Sequence, residues 1–281
     1  LEDQDAARLM TLGPTIPLAK RLKRDVTLPR AIQAIEDKAA SGNPEAQHDM
    51  GALYTSGQSG VTVDYARAGF WFEESARQGV ANARYNLGVL AQQGLGRDKD
   101  LDIALAWYRA AALLEHPEAR YNLGIAYLEG IGVSYNPAMA GGYFEQAARS
   151  GVVEAAYNLG MILENGLIDG PRPFEAMFWY ALAKEGGSVD GARAFTRLTT
   201  DLKIDDKKWK KAFAQMILER PDVKPLADSR TMRGISIGED APKVHLQTGP
   251  RTTPPPPPTL ADAPEATSGI TPTPMEGTAP Q

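Results

Sequence analysis

Cysteine is absent from the 281 residues, and histidine occurs only at His48, His116 and His245. Disulfides, thiolate metal sites and thiol nucleophiles are thereby excluded, and three scattered imidazoles do not make a metal cluster. The lack of cysteine suits an oxidising compartment and the cytosol equally. Positive charge is also in short supply: 30 Lys and Arg against 35 Asp and Glu leave a formal net charge of −5. Nucleic-acid binding, which needs a concentrated basic surface, is not expected. No run approaches the roughly 18 apolar residues of a membrane-spanning helix, and no segment has the form of a signal peptide. The chain begins at Leu1 rather than methionine, which fits a processed product or a fragment, so membrane contact is expected only through a segment upstream of Leu1. Glycine-rich phosphate loops are missing too. The pairs Gly94-Leu95-Gly96 and Gly130-Ile131-Gly132 read as turns, and the neighbouring acids Glu73-Glu74 and Asp205-Asp206 point to different helix faces. No nucleophile constellation, cofactor site or small-molecule substrate site is expected.

What the chain does have is a cassette that returns every 36 or 37 residues. It runs from Ala46 to Gly51, Ala83 to Gly88, Ala119 to Gly124 and Ala155 to Gly160, with a weaker copy from Gly191 to Thr196. Further registers recur in step: Ala68, Ala104, Ala140 and Ala176; then Trp71, Trp107, Tyr143 and Trp179; then Ala76, Ala112, Ala148 and Lys184. A period of this length means stacked supersecondary units. Each unit divides into two helices. In the second, Ala83, Leu87 and Ala91 share a face of a helix starting near Asn82, and Gly94 and Gly96 end it. Its partner begins near Asp100, an N-cap, and carries Ala104, Trp107, Tyr108, Ala111 and Ala112. Pro137 and Pro173 mark the same start in later units. Mid-helix glycine costs about 1 kcal/mol against alanine, so Gly88, Gly124 and Gly160 imply close helix–helix approach. Trp71, Trp107 and Trp179 are expected to fill the space between helix pairs.

The residues Ala83-Arg84-Tyr85-Asn86-Leu87-Gly88, Gly94-Leu95-Gly96, Asp100, Ala104, Trp107-Tyr108 and Ala111-Ala112 resemble the signature of the Sel-1-like repeat family, a relative of the tetratricopeptide repeats. The resemblance covers roughly Leu28 to Phe195. Met50 and an extra residue in the first unit, Tyr143 in the third, and Pro171 and Pro173 in the fourth depart from the pattern. The resemblance implies an all-α fold, an α-solenoid of helix-turn-helix repeats that contacts other proteins and has no chemistry of its own. With the proline-rich tail it also implies a bacterial cell envelope or periplasm, the cytoplasm being the alternative.

The expected organisation is an N-terminal extension over 1–27, a solenoid over 28–203 with half-repeats at its ends, a capping helix over 204–220 and a tail over 221–281. Lys20, Arg21, Lys23 and Arg24 read as a charged linker. In the capping helix Trp209, Phe213, Met216 and Ile217 share one face, opposite Lys207, Lys208, Lys210 and Lys211. The tail holds 13 of the 21 prolines and no Phe, Trp or Tyr, so disorder is expected there.

One column singles out a candidate partner surface. Tyr85, Val89 and Gln92 lie on a face of their helix distinct from the Ala83 stripe, and comparison with related helical repeats implies that this face is concave. Successive units place His48, Tyr85, Tyr121 and Tyr157 at its first position, Ala52, Val89, Ile125 and Met161 at its second, and Thr55, Gln92, Leu128 and Glu164 at its third. The tyrosines suit partner recognition and equally suit packing between neighbouring first helices. The expected function is a protein-binding adaptor. Alternatives are the repeat region of a larger membrane-anchored receptor or cell-wall-targeting protein, and a structural subunit of a large assembly.

Overall fold

The structure, a computed structural model, describes residues 18–223. Among them are twelve α-helices and no strand: α1 (Leu18–Arg21), α2 (Arg30–Ala40), α3 (Pro44–Ser56), α4 (Tyr65–Arg77), α5 (Ala81–Gln93), α6 (Leu101–Ala112), α7 (Pro117–Glu129), α8 (Pro137–Arg149), α9 (Val153–Glu164), α10 (Pro173–Glu185), α11 (Val189–Asp201) and α12 (Asp206–Leu218). Four complete units, α3–α4, α5–α6, α7–α8 and α9–α10, follow the half-unit α2. From α2 to α11 each helix packs on its neighbours in chain order, first on its partner within the unit and then across to the next unit. This is an α-solenoid.

Local chemistry fixes the unit. Asp64, Asp100 and Asn136 cap the second helices by accepting from the backbone N–H groups of Arg67, Ile103 and Met139, at 2.9–3.0 Å. The N–H of each capping residue donates back to a carbonyl of the first helix: Asp64 to Tyr54, Asp100 to Ala91 and Asn136 to Tyr127. Arg172 donates to Leu163 in the same way despite the proline-bearing loop, and all four bonds are 2.8–2.9 Å. The extra residue of the first unit is absorbed in a short 3₁₀ turn over Gln58–Gly60.

The recurring glycines have a specific neighbour. A Cβ on Gly51, Gly88, Gly124 or Gly160 would lie 2.5–2.6 Å from the ring of Phe72, Tyr108, Phe144 or Tyr180 respectively. The close approach expected from sequence is therefore made by the aromatic residue that follows the Trp/Tyr register. Trp71, Trp107 and Trp179 are buried in the apolar clusters that join successive units.

Both ends are covered. Arg21 pairs with the buried Glu74 at 2.8 Å and lies over the Phe70 ring. Arg24 pairs with Glu36 and Asp37, the backbone N–H of Asp25 donates to Glu36, and the Tyr54 hydroxyl donates to Asp25 at 3.0 Å. Arg21 and Arg24 of the basic stretch are thus held by acids on α2 and α4, whereas Lys20 and Lys23 are exposed. At the other end Trp209 packs on Phe195 and Phe213 on Phe178, with ring centroids 5.4 and 5.5 Å apart. Order continues past Arg220, because Asp222 pairs with Arg149 and Val223 is buried. The disorder expected of the tail falls, beyond Val223, outside the described residues.

Candidate functional site

The predicted column is built upward from the glycine register. Each ring seated on a helical glycine also packs against the first-position residue of the same unit. His48 meets Phe72, Tyr85 meets Tyr108, Tyr121 meets Phe144 and Tyr157 meets Tyr180, with centroids 5.6–5.8 Å apart. Third-position residues match the chemistry of the same ring. Gln92 accepts a hydrogen bond from the Tyr108 hydroxyl at 2.5 Å, and Glu164 accepts from that of Tyr180 at 2.8 Å. Where the ring is phenylalanine no acceptor is needed: Leu128 joins the apolar cluster, and Thr55 donates to its own helix at Gly51.

Neighbouring units are linked through the same column. The Asn86 amide and His48 Nε2 are 3.3 Å apart, and Tyr85 stacks on His116 with centroids 4.5 Å apart. Asn122 is buried beside the Tyr85 and Tyr108 side chains. The asparagine register Asn86, Asn122, Asn158 escaped the sequence reading, although it adjoins the tyrosines at every step.

These contacts divide the predicted residues. His48, Val89, Gln92 and Ile125, with Ala52 and Thr55, are buried within the repeats and present little surface. Tyr85, Tyr121, Leu128, Tyr157, Met161 and Glu164 remain half-buried and partly open. Glu164 also takes an ion pair from Arg197 at 2.7 Å. Carrying the 36-residue count one unit further brings Arg193 and Arg197 of α11 to the positions of Tyr157 and Met161. With Val189, Ala192 and Thr196 they line an open depression of about 530 Å³. The sequence reading stopped one unit short of them.

Burial sets the protonation of the column. It pushes the Tyr85 and Tyr121 phenols up to about 12, with the carboxylates of Glu118 and Glu154 adding to the effect, and it raises Tyr157 in the same sense beside Asp190. The tyrosines are therefore neutral hydrogen-bonding groups near neutral pH. His116 is the N-cap of α7, with Nδ1 accepting from the Ala119 N–H at 3.3 Å. Burial depresses its pKa to about 4. Among the described residues no group of three or more His, Asp and Glu side chains is placed to hold a metal ion.

Comparison with known proteins places this geometry. Four consecutive matches to the Sel1 repeat cover residues 44–80, 81–116, 117–152 and 153–188, each beginning at a first helix. The chain belongs to the Sel1 repeat family. It is 34% identical over 85 residues to the mouse "DAP3-binding cell death enhancer 1", a match covering 30% of this chain and 16% of that protein. The crystal structure of a Sel1 repeat protein from Oxalobacter formigenes is 32% identical, with a TM-score of 0.53 over 58% of this chain and 66% of that one. The structure of c5321, a protective antigen present in uropathogenic Escherichia coli strains and displaying an SLR fold, is 27% identical, with a TM-score of 0.60 over 73% of this chain and 44% of that one. The match thus spans less than two thirds of the length of each of these relatives. Sel1 repeats mediate protein–protein interaction, and the fold is typically a non-enzymatic interaction module.

Proposed function

We propose that this Sel1 chain is a non-enzymatic adaptor of a bacterial cell envelope that holds a protein partner against the tyrosine-bearing side of its first helices. The observation that carries this reading is the registered set Tyr85, Tyr121 and Tyr157, each only partly buried and each backed by a buried ring. Such rings offer contact area at little entropic cost because packing already fixes them. Two solved relatives are bacterial, and one is described as a protective antigen; the envelope placement itself is part of the proposal.

Tyr121→Ala and Tyr157→Ala test the assignment. Each is expected to weaken partner capture by more than about 1 kcal/mol, as loss of an aromatic anchor does. Buried packing aromatics cost about 3–5 kcal/mol of stability when cut to alanine, and these two are expected to cost clearly less. Denaturant unfolding on the same variants separates the roles. Strong destabilisation would make the rings packing elements, and unchanged binding would move the partner site elsewhere. Because the match covers only part of each relative's length, a second reading is that the chain is the repeat region of a larger anchored receptor or cell-wall-targeting protein. Among the described residues no helix is long and apolar enough to cross a membrane, so any anchor in that reading comes from other residues.

A further inference from the structure

The two ends of the solenoid are the two halves of one repeat. α2 stands at the register of a second helix, with Ala31 and Ile35 corresponding to Ala68 and Phe72, and the first helix of its unit is missing among the described residues. α11 stands at the register of a first helix, with Ala192 and Thr196 corresponding to Ala156 and Gly160, and α12 does not pack along it as a second helix does. The terminal segments place a guanidinium over Phe70 and over Phe178, yet one flank stays open at each end. Within a complete unit those flanks are sealed: Ala68, Phe72, Ala156 and Gly160 are all buried. At the ends Ala31, Ala34 and Lys38 of α2 are exposed, and Ala192 and Thr196 line the open depression on α11.

We propose that a second copy of this chain completes the split repeat, α2 of one copy lying along the open flank of α11 of the other. The two flanks match in size. Internal units seat a Phe or Tyr ring on a glycine, whereas here Ile35 stands for the ring and Thr196 for the glycine, so volume removed from one flank is returned by the other. They match in charge as well. At an internal joint the asparagine register meets the first-position residue of the unit before it, as Asn86 meets His48 at 3.3 Å, and Asn122 and Asn158 meet Tyr85 and Tyr121 in the same way. The same two registers at the joint between copies hold Asp49 and Arg193, a carboxylate facing a guanidinium. Neither is firmly engaged within its own chain: Asp49 has only His48 at 3.8 Å, and the 79% exposed Arg193 has only Asp190 at 3.6 Å. A third register agrees. The Ser75 hydroxyl donates to the Pro44 carbonyl at 2.8 Å, and the corresponding residues, Lys38 and Val189, bring an ammonium to the turn that carries Asp190. Such a contact is heterologous, so it repeats head to tail.

This contact goes beyond the adaptor reading, which concerns the tyrosine face, and its test leaves that reading aside. Because the chain has no cysteine, full-length Ile35→Cys and Thr196→Cys can be mixed under mild oxidation. The mixed disulfide is expected to outnumber the disulfides that either variant forms with itself, since a ring seated on a glycine brings the two Cβ positions within bridging range. In analytical ultracentrifugation the wild-type mass is expected to rise with concentration. Arg193→Glu and Asp49→Arg, their melting temperatures checked, are each expected to weaken association at least about tenfold. Mixing the two restores it, because every joint in the mixture then pairs opposite charges. Thr196→Trp, at an exposed position, blocks the flank without changing charge and is expected to leave a monomer. A wild-type chain that stays monomeric up to about 1 mM, self-disulfides as abundant as the mixed one, charge variants that associate like wild type, or a mixture that fails to associate overturns the proposal. Capture of a partner through Tyr121 and Tyr157 is expected to survive Thr196→Trp, so the adaptor reading stands or falls separately.

Discussion

Two glycines in helix interiors have opposite surroundings, and that difference predicts opposite effects for the same substitution. A Cβ on Gly124 would meet the Phe144 ring at 2.6 Å, whereas one on Gly142 would meet nothing within 4 Å. Gly142→Ala is expected to stabilise by about 0.5–1 kcal/mol through helix propensity alone. Gly124→Ala gains the same propensity but overpacks a buried ring, and a net loss of about 1–3 kcal/mol is expected. Urea unfolding of both variants checks the pair, and a stabilised Gly124→Ala would show that the ring shifts without cost. The glycine register was legible in the sequence because it recurs; the ring that fills it was not singled out. Phe72, Tyr108, Phe144 and Tyr180 vary between hydroxylated and bare rings, so identity alone hides the column. The signal lies in a correlation: Tyr108 and Tyr180 have the acceptors Gln92 and Glu164, whereas Phe144 has Leu128.

At the scale of the element, α7 depends on an unusual cap. His116 must keep Nδ1 unprotonated to accept from the Ala119 N–H, and burial holds its pKa near 4, well below the ordinary value of 6.5. His48, bonded to Asn86 one unit earlier, is shifted in the same direction by burial. A depressed histidine means that the unfolded chain binds more protons between pH 6.5 and about 4. Stability is therefore complete above the unfolded pKa and falls as the pH drops through that window. At pH 5 the loss from His116 alone is about 2 kcal/mol relative to pH 7. His116→Asn keeps a capping acceptor, as Asn43 does for α3, and is expected to flatten this dependence. Denaturant unfolding at both pH values on wild type and variant is the measurement; an unchanged slope in the variant would place the titration elsewhere. Pro117 follows His116 as a first-turn proline does, but the cap itself is hidden in the sequence, since histidine is not among the usual capping residues. The basic stretch near Arg21 was opaque for another reason. Its partners Glu36 and Glu74 come from other helices, and no local pattern announces such a pairing.

The whole molecule is a row of similar units whose two end units differ from the inner ones at one register. Phe70 and Phe178 stand where the inner units carry Ala106 and Gly142, and each has a guanidinium over its ring, Arg21 at 5.7 Å and Arg220 at 5.0 Å. The large rings extend the apolar surface of the end units, and the terminal segments cover it, which is what a finite solenoid requires. At the C-terminal end the covering segment closes with Asp222, paired to Arg149, and with Val223, which is 5% exposed. The composition shift at Pro221 was visible in the sequence; that the contact persists two residues past it was not, because Asp222 reaches Arg149 and Val223 joins the apolar cluster of the C-terminal units, both remote in sequence. Two truncations differing by three residues follow from this. Ending the chain after Val223 is expected to leave the melting temperature essentially unchanged, since the residues removed contain no aromatic side chain. Ending it after Arg220 removes the exposed ion pair and a buried valine; the valine's burial alone is worth about 1–3 kcal/mol, read in calorimetry as a drop of several degrees. Equal melting temperatures for the two would mean that α12 closes the solenoid by itself. A drop for the chain ending after Val223 would mean that residues beyond it bear on the repeats, and the boundary of the folded unit would move outward accordingly.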